Sequence, residues 1–503
     1  MFIKSLPPNL GSTEDFALEV LNNPIYDKIP QYVNKNDIQK AFDDFGYKLN
    51  PFNSMIYANS LDSPNIEGHF LSTNIPEIDS IVINEAITED NIREVIDKAD
   101  DITHIGLSVY ASRFENAIKI IEIINKEYPD LILFIGGTGV VFERVRRLVK
   151  KKNICMGNGI VWLRNKLGLS QLKLKDYKIS TVIMNTQLLP VNFKTAYVVT
   201  QIGCPYSCDF CVTSKHLQYL PFSKSKQIIE NLKYLLEMDR RDKILYLCEP
   251  NALFPEREWN EVFNYFMNYK GSYDNYLYIF CLISLNHLRN FNLRLIQEKC
   301  RIKFLMVNFG IESTLGGGYE KNYGVSKDFV KSLSDMGITT NHNFIIGLLH
   351  HTPNNIDLEI KGNLEYNSNL YFISTFKPVP RTYLHEFLKK EGRLFGDDLP
   401  AELVYQDGFL AFNHKTLGGG FSILKYTFKA YHQVEKKVID VYSNMADTLL
   451  KSPLANKSSI LKKTIKVLLN LSAHNFELFE PRMPIDLSNI YRAKIQMLTQ
   501  KNI

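Results

Sequence analysis

Three cysteines lie close together near the middle of the chain, at Cys204, Cys208 and Cys211. Their C-x3-C-x2-C spacing allows three thiolates to converge on one iron–sulfur cube if the backbone loops around it, and Gly203 and Pro205 favour such a loop. A cube contains four irons, so three cysteines leave one iron without a protein ligand. An open iron can bind a small molecule, and the spacing therefore predicts a cluster that takes part in chemistry.

Two other uses of these cysteines stay open at this point. A tetrahedral zinc site would need a fourth ligand, and three cysteines so close together cannot all pair as disulfides. Residues 196–200, just before the motif, form a β-branched and aromatic run, and residues 225–238 have the apolar spacing of a helix. The sequence thus places the cysteine loop between a strand and a helix.

The motif resembles the signature of the radical S-adenosylmethionine (SAM) superfamily, in which an aromatic residue precedes the last cysteine. Phe210 fills that place in this chain. The resemblance implies a 4Fe–4S cluster bound by the three cysteines, SAM chelated to the open iron, and reductive cleavage of SAM to a 5′-deoxyadenosyl radical. Such a radical abstracts hydrogen from an unactivated carbon, which no acidic or basic side chain can do.

Length and composition set the class of protein. The 503 residues suffice for two or three domains, and 45% hydrophobic with 22% charged residues is ordinary for a globular protein. A net charge of +5 is small for this length, so nucleic acid is not an expected partner. No run of 18 apolar residues and no signal-peptide pattern occurs. Seven cysteines, three of them clustered, fit a reducing cytoplasm.

Apolar strands alternate with helical patterns ahead of the cysteine motif. Strands are predicted at 78–83, 102–109, 131–135 and 154–156, and helices at 88–96, 113–127 and 142–151. Strands that are apolar throughout are typical of a parallel, doubly wound sheet covered on both faces, and such sheets bind ligands beyond the carboxyl ends of their strands. Small or polar residues stand at three strand ends, namely Ser108, Tyr110, Gly136, Gly137, Thr138 and Gly157.

Residues 1–165 resemble the Rossmann-like cobalamin-binding domain that precedes many radical SAM domains. In that family a double glycine, here Gly136 and Gly137, lets the nucleotide tail of cobalamin lie against the backbone. The resemblance makes the six strand-end residues candidate cobalamin contacts. The acidic G-E-G-E-type strand ending that is usual in the family is replaced here by residues 157–160. The family's D-x-H-x-x-G motif is absent, so no histidine is marked as a cobalt ligand. His104 precedes the wrong strand end and is interpreted as a packed or surface residue. The alternative is that the glycines only make tight turns.

From residue 196 onwards the strand–helix alternation resumes. Six strands, each of the first five followed by a helix, predict a partial (β/α)6 barrel whose chemistry gathers at the carboxyl ends of the strands. Residues at these ends match elements of the radical SAM family in order. With Phe210, the implied SAM contacts are Glu249, Ser284, Glu312 and Ser313. Residues 344–347 and 378–382 resemble two further family segments, with Arg381 in place of a glycine, and His350 and His351 are interpreted as loop surface rather than as residues that face the substrate.

The remaining segments complete the predicted domain plan. It comprises a cobalamin-binding-like domain at 1–170, a linker at 171–195, the radical SAM barrel at 196–390 and a mostly helical region at 391–503. Residues 406–409 resemble a D-G-F segment that follows the barrel in cobalamin-type enzymes. Residues 457–471 are basic and partly amphipathic, and we expect them to pack on the barrel rather than to rest on a membrane surface.

The two resemblances together imply a cobalamin-dependent methyltransferase that acts on an unactivated carbon of a small-molecule or lipid-like substrate. An external one-electron reductant of the flavodoxin or ferredoxin type would supply the electron. The main alternative is a radical SAM enzyme of rearrangement, cyclisation or oxidation, with or without cobalamin. A remote alternative is a non-catalytic iron–sulfur redox sensor.

Overall fold

The computed structural model describes residues 1–5, 64–110, 114–188, 191–315, 324–394, 412–418 and 441–479, and, outside these, residues 35, 36, 39, 40, 321, 423, 425–427, 429, 430, 433, 492, 493, 496 and 497. The predicted D-G-F segment at 406–409 lies outside the described residues. The described part is a mixed α/β structure with two largely parallel sheets, so the predicted α/β class is confirmed.

The first sheet has four parallel strands in the order β2-β1-β3-β4. The strands are β1 (Phe2–Ser5), β2 (Val82–Ile87), β3 (His104–Ser108) and β4 (Ile132–Gly136). The helices of this region are α1 (Ile66–Thr73), α2 (Ile92–Asp97), α3 (Phe114–Glu127), α4 (Glu143–Arg147) and α5 (Gly159–Lys166). Strand order reverses between β1 and β3, and at such a point the loops beyond the strand ends diverge and leave a crevice.

Both faces of this sheet are buried, as predicted for a doubly wound arrangement. Ile3 and Ile105 pack into one apolar cluster with helices α2 and α3. Phe2 and Phe134 belong to a different cluster, which includes Leu163 of α5. The alternation follows from strand geometry, because successive side chains point to opposite faces. Two predicted boundaries differ: the strand expected at 78–83 is β2, and the one at 154–156 is reduced to a single bridge between Ile154 and Ile135.

The second sheet has seven strands in the order β11-β10-β9-β8-β7-β6-β5. Its strands are β5 (Ser180–Leu188), β6 (Val191–Val199), β7 (Lys243–Leu247), β8 (Leu277–Leu282), β9 (Ile302–Glu312), β10 (Thr339–Ile346) and β11 (Leu370–Thr375). Strands β6 to β11 are parallel and neighbour one another in chain order. Their carboxyl ends therefore meet at one edge of the sheet.

The structure differs from the linker expected at 171–195. Strand β5 pairs antiparallel with β6 from Ser180↔Val199 to Leu188↔Val191, so most of this stretch belongs to the sheet. An antiparallel edge strand has only one covered face and mixes polar with apolar residues. The stretch consequently has only a short apolar run between polar residues.

Helices alternate with the strands of the second sheet along the chain. They are α6 (Thr213–His216), α7 (Ser225–Glu237), α8 (Glu256–Met267), α9 (Leu285–Leu288), α10 (Leu293–Lys299), α11 (Lys327–Asp335), α12 (Ile356–Leu364) and α13 (Tyr383–Lys390). Helix α7 shows why they form, since Ile228, Leu232 and Leu235 recur at helical spacing and are buried. Helices α11 and α13 begin at capping hydroxyls of Ser326 and Thr382.

Two C-terminal helices, α14 (Val441–Leu450) and α15 (Ser459–Phe479), pack against each other and touch strands β10 and β6 respectively. The apolar residues predicted for the amphipathic face of α15, such as Ile465 and Leu468, are buried in the core, whereas Lys462 and Lys466 are exposed. The helix thus packs on the sheet, as expected. No described helix is both long enough and apolar enough to cross a bilayer.

Candidate functional site

The cysteine loop begins directly after β6. Gly203 has φ = 72°, and a Cβ at this position would lie 2.8 Å from the Gln218 carbonyl oxygen, so only glycine fits without strain. A bridge between Ile202 and Leu220 closes the base of the loop. At its tip the Cys211 backbone N–H donates to the Cys208 carbonyl over 3.1 Å. The predicted loop between a strand and a helix is therefore present, with α6 starting just after Cys211.

None of the three cysteines of the loop is in a disulfide. They are close enough for their charges to interact, because a charged Cys211 would raise the pKa of both Cys204 and Cys208. A cube can accept three such thiolates, each on its own iron. Burial raises the pKa of Cys208 to about 11 and also raises the pKa of Cys204, so cluster binding has to displace protons.

Ser284, an implied SAM contact, lies beside the cysteine loop and braces it. Its backbone N–H donates to Asn251 Oδ1 over 2.8 Å, and its hydroxyl lies 3.1 Å from the Tyr206 hydroxyl. The Asn251 side chain in turn lies near the Cys204 thiol. Ser284 is only 4% exposed and also caps α9. Its contacts thus hold the loop in place.

Glu249 follows β7 and is buried. Its Oε1 accepts hydrogen bonds from the backbone N–H and the hydroxyl of Thr200. Its Oε2 has no partner among the described residues. Burial raises the pKa of this carboxyl group. The structure places Glu249 in the wall of a cavity, together with the residues predicted to contact cobalamin.

Glu312 lies at the end of β9 with φ = 66°, a left-handed backbone conformation. Lys321 donates a hydrogen bond to its carboxylate and lies 5.9 Å from the centroid of the Phe210 ring. Burial works to lower the pKa of Lys321, but the charges of Glu312 and Cys208 outweigh it and raise the pKa. Lys321 therefore remains cationic beside the cysteine loop. No motif or spacing in the sequence marks this lysine.

Ser313 forms hydrogen bonds with two residues that lie far from it in the sequence. Its hydroxyl lies 2.7 Å from Glu359 Oε2 and 3.0 Å from His350 Nε2. Glu359 is completely buried on α12. Nothing in the spacing of the sequence signals these contacts, because Glu359 is 46 residues from Ser313.

A cavity of about 350 Å³ lies between the two sheets, a volume typical of small-molecule sites. One wall is formed by α1, α5 and the carboxyl ends of β3 and β4, and the other by the start of the cysteine loop, α6 and the end of β7. All six residues predicted to contact cobalamin line this cavity, namely Ser108, Tyr110, Gly136, Gly137, Thr138 and Gly157. The structure thus brings together strand ends that the sequence could only place on one sheet edge.

Four buried residues of the cavity wall carry a polar atom without a hydrogen-bond partner in the described part of the chain. These atoms are Asn65 Nδ2, Gln201 Oε1, His216 Nδ1 and Glu249 Oε2. Unpaired buried polar atoms are costly, so their concentration around one cavity indicates a ligand with donors and acceptors. A corrinoid ring, with its amide side chains, fits that requirement. Neither Asn65 nor His216 was predicted, because α1 lies in a stretch without clear periodicity and His216 lies on the far side of the cysteine motif.

The two glycines Gly137 and Gly157 play different parts. Gly137 has φ = 90°, and a Cβ there would lie 2.6 Å from the Val109 carbonyl oxygen, so the fold itself requires glycine. A Cβ at Gly157 would meet no atom within 4 Å. Gly157 thus leaves open space in the cavity wall. His104 is not among the lining residues; its ring packs against Phe134 at 5.4 Å, in keeping with the predicted packing role.

Comparison with curated proteins finds a methylase that is similar to part of this chain. The relative in question is the hopanoid C-2 methylase of Rhodopseudomonas palustris (strain TIE-1), 25% identical over 204 residues. The match covers 39% of this chain and 38% of the methylase, so well under half of that protein is spanned. No protein-family model matches the chain.

Two solved structures are similar to this chain. One is the radical S-adenosylmethionine methyltransferase TsrM from Kitasatospora setae with tryptophan substrate and a SAM analogue bound; the TM-score is 0.46 and the identity 13%, over 68% of this chain and 78% of that one. The other is the cobalamin-dependent S-adenosylmethionine radical enzyme OxsB with aqua-cobalamin bound; the TM-score is 0.49 and the identity 15%, over 89% of this chain and 78% of that one.

Proposed function

We propose that this chain is a cobalamin-dependent radical SAM methyltransferase that acts on an unactivated carbon. The observation that carries the proposal is the direct continuity of two sites. Strand β6 leads into residues of the cavity wall, such as Gln201 and Gly203, and from there into the cysteine loop within a few residues. A cavity suited to a corrinoid therefore adjoins a loop suited to a SAM-binding cluster.

Each element of this chain has a defined part in the proposal. Cys204, Cys208 and Cys211 hold the cluster, and Ser284 and Asn251 fix the loop that carries them. SAM binds at the rim formed by Phe210, Glu312 and Ser313, where Lys321 adds a positive charge for the carboxylate of SAM. The cluster and cobalamin, when bound, supply the electron and the methyl group. The residues of this chain bind, orient and exclude water.

The proposal extends to the domain plan. Residues 1–170 form the cobalamin-binding domain, 196–390 the partial (β/α)6 barrel and 391–503 the helical region, with β5 added to the barrel edge from the former linker. The six parallel strands β6 to β11 in chain order support the barrel. Seven free cysteines and an iron–sulfur cluster suit a reducing cytoplasm, where a flavodoxin or ferredoxin type of reductant provides electrons.

For the substrate we propose a small, largely apolar molecule of the lipid type. The relative that matches in sequence is a hopanoid methylase by name. The net charge of +5 over 503 residues gives no reason to propose nucleic acid. The proposal is limited to the class of molecule, because the match spans 38% of that relative.

The test is reconstitution of the purified protein with iron, sulfide and hydroxocobalamin, followed by removal of the excess. We expect bound cobalt, SAM cleavage to 5′-deoxyadenosine under reducing conditions, and a mass increase of one methyl group in a lipid fraction. Protein that retains no cobalt yet cleaves SAM would point instead to a rearrangement, cyclisation or oxidation enzyme. Protein that binds a cluster but cleaves no SAM would support the remaining alternative, a non-catalytic redox sensor.

A further inference from the structure

Glu359 is a buried carboxylate that accepts hydrogen bonds on both of its oxygens. Donors to Oε1 are the Thr314 backbone N–H at 2.7 Å, the Thr314 hydroxyl at 3.3 Å and the Asn363 amide at 2.5 Å. Donors to Oε2 are the Ser313 hydroxyl at 2.7 Å, the Leu315 backbone N–H at 3.2 Å and His351 Nε2 at 3.4 Å. Burial alone would raise the pKa of Glu359, but hydrogen bonds from His351, Thr314 and Ser313 outweigh it and lower the pKa. Glu359 is therefore an anion that holds the segment after β9.

The hydrogen bonds around Ser313 determine which nitrogen of His350 carries a proton. The Ser313 hydroxyl has one hydrogen, and it lies within reach of two acceptors, Glu359 Oε2 at 2.7 Å and the Leu315 carbonyl at 2.8 Å. Neither of these groups can donate to it. The charged carboxylate of Glu359 is the stronger acceptor and takes the hydroxyl hydrogen, so His350 Nε2, 3.0 Å from the same hydroxyl oxygen, is the donor in its contact. In neutral His350 the other nitrogen, Nδ1, is then a hydrogen-bond acceptor.

His350 lies on the rim of the predicted SAM site. It is exposed, it contacts Ser313 next to Glu312, and it lies close enough to Asp209 of the cysteine loop to feel its charge. The titratable groups that face it are Asp209, His351, Glu359 and His414. Burial of its ring and the neighbouring His351 lower the pKa of His350 below its usual range, against the raising effect of the two carboxylates. The imidazole is consequently neutral at pH 7.

His350, His351 and Glu359 are close enough to suggest a metal site, since their ligand atoms all lie within 4.8 Å of one another. The hydrogen bonds argue against that use. His351 Nδ1 accepts a hydrogen bond from the Gly347 backbone N–H over 3.0 Å, so its ring proton is on Nε2, which faces Glu359. A protonated nitrogen has no lone pair for a metal ion. The cluster instead forms a hydrogen-bonded chain that ends at His350 Nδ1.

We propose that His350 Nδ1 accepts a hydrogen bond from an N–H or O–H group of the adenosyl moiety of SAM, and that Glu359, through Ser313, is the positioning residue that fixes this tautomer. The inference rests on the proposed function, because it takes SAM as the molecule bound at this rim. The adenine amino group and the ribose hydroxyls are the two kinds of donor that an adenosyl moiety offers. The same acceptor chemistry applies to both.

The test measures SAM affinity by equilibrium dialysis on protein reconstituted with an oxidised cluster, which does not cleave SAM. His350→Leu removes the acceptor and should weaken binding about tenfold, the effect of one hydrogen bond. His350→Asn places an oxygen where Nδ1 stands and should restore most of the affinity. Wild-type affinity should fall as the pH drops through the pKa of His350, which lies below the usual value of about 6.5, because Nδ1 then takes a proton and becomes a donor. The asparagine variant should lack this fall.

Glu359→Gln should also weaken SAM binding, because its amide NH2 opposes N–H and O–H donors. The matched control is Asp357→Asn on the same helix, an exposed residue paired with Lys429, which should leave affinity unchanged. If Glu359→Gln does not fold, His350→Leu and His350→Asn, at an exposed position, still test the hydrogen bond to SAM. An inosine analogue of SAM assigns the donor: loss of the difference between wild type and His350→Leu identifies the adenine amino group, and its persistence identifies a ribose hydroxyl.

Two outcomes separate the inference from the function beneath it. Wild-type protein with a full cluster that binds no SAM would overturn the proposed function. Wild-type protein that binds SAM, with His350→Leu equal to it at every pH, would overturn the role of His350 alone.

Discussion

Lys321 donates a hydrogen bond to Glu312 directly beside the cysteine loop, and the two side chains are only 16% and 10% exposed. The pair joins the left-handed end of β9 to a residue nine positions further along the chain. Because Lys321 also lies over the ring of Phe210, it connects the cysteine loop with the strand end across the proposed SAM site. Its charge offsets the carboxylate that would otherwise repel an anionic ligand.

Lys321→Ala should lower both stability and SAM affinity. Removal of one member of a mostly buried ion pair leaves the other unpaired and costs about 3–5 kcal/mol. Urea denaturation of the cluster-free protein measures this loss, and equilibrium dialysis of the reconstituted protein measures SAM binding. The control is Lys327→Ala, whose pair with Glu365 is about half exposed and should contribute at most about 1 kcal/mol. Equal effects of the two variants would contradict the role of Lys321.

Alanine at Cys204, Cys208 or Cys211 should remove most of the bound iron and all SAM cleavage, because a cube needs every one of its three thiolates. Iron is measured by colorimetric assay, and cleavage by chromatography of 5′-deoxyadenosine. Cys300→Ala is the matched control, since Cys300 is a buried thiol that hydrogen-bonds the Phe263 carbonyl. A full cluster in the triple alanine variant would end the cluster assignment.

Gly157→Leu should reduce cobalamin retention without damage to the fold, because its side chain enters open space in the cavity wall. Gly137→Leu should instead destabilise the whole first sheet, since its Cβ meets the Val109 carbonyl. Bound cobalt and thermal melting distinguish the two. The cluster iron of Gly157→Leu should stay near the wild-type level. Undiminished cobalt in this variant would place cobalamin elsewhere.

Stability should fall as the pH decreases from about 6.5, with His342 as one cause. This histidine is completely buried in β10, and burial lowers its pKa to about 3. Between pH 3 and about 6.5 the unfolded chain binds a proton at this residue that the folded chain does not, so stability is lost as the pH falls, by up to about 1.4 kcal/mol per pH unit. His342→Phe removes this proton and should give a shallower slope in urea denaturation between pH 7 and pH 5, although Asn363 loses its hydrogen-bond partner. An unchanged slope would contradict the prediction.

The sequence predicted what depends on local pattern. The strands of the barrel were predicted because most of them contain an apolar run, such as Ile244 to Leu247 in β7. Strand β5 was missed because polar residues flank its short apolar stretch at a sheet edge. The side-chain contacts of the site could not be predicted, for a different reason. Contacts of Lys321 and Glu359 depend on tertiary approach between segments, which no spacing in the sequence encodes. Glu249 shows the same limit. It was predicted to contact SAM, but the end of β7 adjoins two sites, and the sequence does not show that Glu249 lines the cavity between the sheets.

The cysteine loop is flanked on both sides by residues of the cavity wall, with Gln201 and Gly203 before it and Thr213 and His216 after it. A ligand that fills the cavity therefore restrains both ends of the loop and lowers the entropy cost of closing it around iron. Thermodynamic linkage requires the reverse effect to be equally large. Loading of the cluster should tighten corrinoid binding by the same factor by which the corrinoid tightens the cluster, so that the two cofactors are acquired cooperatively rather than one at a time.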